Sequence, residues 1–128
     1  MSKITSELFV ITKAKELSSY ILVITDKSPK KFRFTLTSRL QNLSLNVLEY
    51  LIRANDVYIG KNANVHQIRL RSEWQQRAIT DLKLLSYMSM IAMEQKCILS
   101  KQYEQIAKLN TETLALTIRW KQGNKRDL

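Results

Sequence analysis

The chain has 128 residues, enough for one domain that buries roughly two-thirds of its unfolded surface. With only 2 Gly and 1 Pro, it lacks the turn formers that an all-β fold of many hairpins would need. Its 21 basic and 11 acidic residues leave a net charge of +10, which points to a polyanionic partner: nucleic acid, an acidic membrane or an acidic protein.

Cys97 is the one cysteine, so no disulfide framework or cysteine cage can form within the chain, and a reducing cytoplasm is expected. No run reaches the roughly 18 apolar residues of a membrane span. Lys13, Lys15 and Glu16 interrupt the first apolar stretch, which does not read as a secretory signal.

The first helix is predicted over about Thr5–Thr25. Val10, Ala14, Leu17, Ile21 and Ile24 share one face, with Tyr20 at its edge. Leu8, Ile11 and Leu22 lie elsewhere and hint at a second contact. Asp26 to Pro29 reads as a tight connection, with Ser28 as N-cap and Pro29 in the first turn.

The second helix, about Pro29–Tyr58, carries two apolar stripes. Leu36, Leu40, Leu43, Val47, Tyr50 and Ala54 repeat in steps of four and three; Phe34, Leu45, Leu48 and Ile52 fall nearly opposite. Arg39, Asn42, Asn46, Glu49 and Arg53 run between them. One stripe suffices for a helix to join its own core. A second needs more chain or another subunit, and spacing alone does not choose which stripe faces inward.

Residues 59–65, with Gly60 and two asparagines, read as a loop. The third helix is predicted from His66 to about Cys97, with Trp74, Ala78, Leu82, Leu85 and Ala92 inside. Arg69, Glu73, Gln76 and Thr80 make its first half wet outside. Leu84, Tyr87 and Ile91 predict more burial in the second half. Ser100 is the expected N-cap of a fourth helix, about Lys101–Gln122. There Tyr103, Ile106, Leu109, Leu114, Leu116 and Trp120 form an arc. Asn110, Thr113 and Thr117 fall inside that arc and must find hydrogen bonds. Gly123 to Leu128 reads as a frayed tail.

Four helices on short links predict an all-α, antiparallel up-down-up-down four-helix bundle over residues 1–128. The surplus apolar residues Phe34, Leu45, Leu48, Ile52, Leu84, Tyr87 and Ile91 predict a homo-oligomer interface.

No catalytic constellation is evident. His66 is the single histidine, and Cys97 stands about 45 Å away along the same helix, out of reach for a dyad. Zinc, di-iron and phosphate-loop signatures are missing, so the expectation is no enzyme, no metal and no cofactor. The basic residues are better organised. Lys27, Lys30, Lys31, Arg33 and Arg39 follow one another without an acid, and Lys96 and Lys101 flank the turn at the same expected end. Lys3, Arg53, Lys61, Arg69, Arg71, Arg119, Lys121, Lys125 and Arg126 gather at the other. Such side chains bind phosphates without reading sequence. Trp74, Trp120 and Tyr103 stand at core spacing and read as core before stacking platforms.

Pro29 to Leu36, followed by Arg39-Leu40-Gln41-Asn42-Leu43, resembles the second-helix signature of a family of small four-helix-bundle proteins. The family includes the accessory variability determinant (Avd) proteins of diversity-generating retroelements and relatives encoded within bacterial large-subunit ribosomal RNA genes. The likeness continues through Leu48 to Asn55, Leu82 to Ile91 and Leu99 to Tyr103, and covers most of Pro29 to Trp120. The family's glycine pair before the fourth-helix tryptophan is replaced by Leu116-Thr117-Ile118-Arg119. For the Avd branch the resemblance implies a homopentameric barrel that binds nucleic acid and partners a reverse transcriptase in mutagenic complementary-DNA synthesis. For the ribosomal branch it implies an RNA-binding or structural role. The rival class is an oligomeric scaffold for an acidic protein.

Overall fold

A computed structural model describes residues 2–124, with side chains from residue 9 onward. The chain is all-α. Its helices are α1 (Ser2–Thr25), α2 (Ser38–Asp56), α3 (Val65–Glu94) and α4 (Ser100–Gly123), with no strand among the described residues. None of these helices is long and apolar enough to cross a membrane. α1 packs on α2 and α4, α2 on α3, and α3 on α4, which closes a four-helix bundle.

One apolar cluster runs through all four helices. Val10, Ala14, Leu17 and Ile21 of α1 are fully buried in it, as the spacing predicts, and Ile24 is half-buried. Of the two stripes on α2, the first faces inward. Leu40, Leu43, Val47 and Ala54 are buried, Leu36 and Tyr50 are half-buried, and Leu51 joins them with no exposed surface. α3 contributes Ala78, Leu82, Leu85 and Ala92; α4 contributes Ile106, Leu109 and Trp120. Each of the polar residues expected inside α4 donates a hydrogen bond, while the Asn110 Oδ1 is buried without a partner among the described residues. Asn110 donates to the Leu82 carbonyl at 3.0 Å, while Thr113 and Thr117 donate to carbonyls one turn back, at 2.7 and 2.8 Å.

The helix ends differ from expectation. Pro29 is extended, and residues Lys30–Phe32 form a tight 3₁₀ turn. A wider π-helical turn follows over Arg33–Thr37, before α2 becomes regular at Ser38. Ser28 does not cap this start; its hydroxyl donates to the Cys97 carbonyl at 2.8 Å. α3 begins at Val65, where Asn64 and Gln67 exchange side-chain and backbone hydrogen bonds in a capping box. It ends at Glu94 rather than Cys97. Lys96 sits in the left-handed region at φ 66°, and the amides of Lys96 and Cys97 return to the carbonyls of Met93 and Ala92. That is a Schellman stop with lysine where glycine is usual, and both Ala92 and Cys97 are buried there. Ser100 is the first residue inside α4, not its cap; Gln102 reaches back to the Leu99 amide at 2.8 Å.

Two further expectations change. Burial does not rise along α3: Tyr87 is 70% exposed and Ile91 42%. Gly123 still belongs to α4, and Asn124 is buried, donating to Ser72 and Gln75 at 2.9 and 2.6 Å. The rest of the tail expected to fray lies outside the described residues.

Long-range hydrogen bonds tie the helix ends together. Ser28 and Thr37 both meet Cys97, so the link after α1 lies against the link after α3. Arg71 and Asn124 join the ends of α2 and α4 to the start of α3.

Candidate nucleic-acid interface

Lys27, Lys30, Lys31 and Arg33 are all exposed on the link and first turns leading to α2. The link is short because Asp26 and Ser28 turn their amides back to the carbonyls of Val23 and Thr25. The Ser28 bond to Cys97 then brings it against the turn carrying Lys96 and Lys101, both exposed. None of these six cations pairs with a carboxylate among the described residues. Their charge therefore stays available to an external anion. Thr25, Asp26, Lys27, Ser28, Pro29, Lys30, Arg33 and Thr37 line a surface hollow of about 280 Å³ here.

Arg39 is exposed one turn further on. It lies near Asp81 of α3, whose carboxyl is pushed up by burial while the Arg39 charge pulls it down. Arg39 is thus partly engaged across the α2–α3 seam.

The other end is less uniform. Lys61, Arg69 and Arg119 are exposed. Arg53 pairs with Glu49 at 2.9 Å. Lys121 is half-buried and donates to Gln76 at 2.7 Å. Arg71 departs from its expected role. It is buried, with Nε donating to the Ala54 carbonyl at 3.1 Å and a terminal nitrogen to the Val57 carbonyl at 2.8 Å. Its guanidinium also lies 5.5 Å from the centre of the Trp120 ring. Arg71 closes the end of α2, whose last carbonyls lack helical partners. Lys125 and Arg126 lie outside the described residues, as does the side chain of Lys3.

Arg77 and Lys83 are among the basic residues that escaped the sequence reading. Arg77 lies 4.8 Å above the Trp74 ring, which Arg53 also approaches at 5.2 Å and Tyr50 stacks on at 5.8 Å. The signal was local: Trp74 and Arg77 are three apart on one helix, so they must meet. Lys83 shares a hollow of about 300 Å³ with Lys121 between α3 and α4. Nothing local foretells that pairing across two helices.

The residues expected at an oligomer interface divide. Phe34, Leu45, Ile52, Tyr87 and Ile91 are exposed, whereas Leu48 and Leu84 are half-buried against the chain's own core. Leu45, Leu48 and Ile52 line a shallow hollow of about 480 Å³ with Glu49, Arg53 and Asp56. Leu22 is also exposed, one turn after Ser18, and Ser18 donates to the Ser44 carbonyl. The second stripe of α2 therefore opens beside α1.

His66 is exposed and Cys97 buried, at opposite ends of α3. No protein-family model matches this chain, and no curated protein matches it.

Proposed function

We propose that the protein is a non-catalytic, basic nucleic-acid-binding accessory protein. The observation that carries this reading is the cluster of exposed cations Lys27, Lys30, Lys31 and Arg33 beside Lys96 and Lys101, none neutralised by a carboxylate among the described residues. Cations so placed bind phosphates by counterion release and carry no base readout, so binding is salt-sensitive and weakly sequence-specific. RNA and DNA both fit this chemistry.

The resemblance to Avd proteins supplies the partner. In this reading the helices run antiparallel, up-down-up-down. The exposed apolar residues of α2 and α3 meet neighbouring copies in a homo-oligomer, a pentamer by analogy. The assembly holds template RNA and complementary DNA against a reverse transcriptase, raising their local concentration. The position of Ser28 and Thr37 against Cys97, and of Asn124 against Gln75, supports the antiparallel order.

The test is salt-dependent binding, followed by copurification with the reverse transcriptase of the same locus. Each neutralised duplex phosphate contributes a slope of about −0.9 in log affinity against log salt. The expected slope is steep, and the copurified complex supports template-primed complementary-DNA synthesis. Binding that is flat in salt refutes the nucleic-acid reading. Synthesis that proceeds equally well without this protein, with no complex formed, refutes the accessory role.

A further inference from the structure

Phe34 is 88% exposed in the π-helical turn that precedes α2. Single exposed apolar side chains are ordinary on protein surfaces. Phe34 differs in its setting. Phe32 and Leu36, two residues to either side, turn inward and pack on the core, so the fold makes no use of the Phe34 ring. Lys30, Lys31 and Arg33 stand exposed within about 8 Å of helix rise from it, roughly one Debye length at physiological salt. Lys31 Nζ lies 5.0 Å from the centre of the Phe32 ring.

We propose that this segment is a single-strand-selective site, where a base of unpaired RNA or DNA stacks on Phe34 while Lys30, Lys31 and Arg33 hold the flanking phosphates. It rests on the nucleic-acid reading above and adds the form of the ligand. An aromatic face among unpaired cations matches a strand that offers both bases and phosphates. A duplex buries its base faces and offers this site phosphates alone. A second copy covering Phe34 would also have to cover Lys30, Lys31 and Arg33 with another chain of net charge +10, which electrostatics opposes. An anionic membrane fits less well, because with Phe32 and Leu36 turned inward only one ring is left to insert.

The experiment uses the full chain with a labelled single-stranded oligonucleotide of about 16 nucleotides and the matching duplex. Because the ring is exposed, Phe34→Ala is expected to fold as the parent does, checked by circular dichroism. It is expected to bind the single strand about 5- to 100-fold more weakly, with duplex affinity changed less than about twofold. Phe34→Trp restores single-strand binding. The triple variant Lys30→Gln, Lys31→Gln, Arg33→Gln weakens both forms and flattens both salt slopes. If Phe34→Ala weakens both forms equally, or neither, while the triple variant still loses binding, nucleic-acid binding stands and the stacking site is overturned. It is likewise overturned if Phe34→Ala leaves single-strand binding intact but lowers the mass by light scattering or abolishes binding to phosphatidylserine vesicles. A parent that binds neither strand form at low salt overturns the underlying reading as well.

Discussion

Replacing Arg71 with methionine separates a structural arginine from one that binds phosphate. Methionine keeps most of the alkyl volume and removes the guanidinium. Its hydrogen bonds to the carbonyls of Ala54 and Val57 are charge-assisted, and each is worth about 1.5–3 kcal/mol in such settings. The Ala54 carbonyl keeps the Val57 amide at 3.2 Å, so the loss there is partial. The cation over Trp120 adds about 0.5–2 kcal/mol. A net loss of about 3 kcal/mol is expected, a large share of the roughly 5–15 kcal/mol that holds a domain together. For a chain of this size it lowers Tm by about 10 °C. Arg69→Met, two residues away on the same helix and exposed, removes the same charge and is expected to change stability by less than about 0.5 kcal/mol. The assay is thermal and urea denaturation of both variants at one protein concentration, with salt-dependent RNA binding on the folded samples. Arg69→Met is expected to flatten the salt slope, and Arg71→Met to leave it unchanged. Equal stability of the two variants would refute the capping role of Arg71.

Leu45→Glu with Ile52→Glu, both exposed, charges the open face beside α1 and is expected to reduce the mass by light scattering while helicity is retained; an unchanged mass rejects that face as the contact between copies. Lys96→Gly relieves a left-handed residue and is expected to add up to about 1 kcal/mol, while Lys96→Val, β-branched at the same φ, costs about 1 kcal/mol or more. Shifts in the same direction for both would contradict the Schellman reading. Asp81 has its carboxyl raised by burial, so the folded state binds the proton more tightly than the unfolded one. Its contribution to stability falls as pH rises from the ordinary aspartate range through the raised value. Asp81→Asn is therefore expected to raise Tm modestly at pH 7, with the gain gone below about pH 4. A gain that persists in acid would assign the effect to packing instead.

Periodicity by itself determined the four helices and most of their inner faces. Val10, Ala14, Leu17 and Ile21 follow a 3.6-residue repeat, as do Leu82 and Leu85, because a helix joins a core along one stripe whatever its neighbours are. Charge order along the chain likewise marked the Lys27 to Arg33 cluster, since consecutive residues cannot be carried apart. Only the tertiary structure decided between the two stripes of α2, because both satisfy the same spacing and the choice depends on where α1 and α3 pack. It alone decided the fate of Arg71. A guanidinium on a helix reads as solvent-facing until the end of α2 arrives beside it with carbonyls that lack their regular helical partners. The stop at Lys96 was hidden for a related reason. Glycine is the usual sign of a left-handed residue, and here a lysine is held there by the return of two amides to Met93 and Ala92. Local spacing is a property of one helix, whereas capping and the sharing of cations between ends depend on partners far away in the chain.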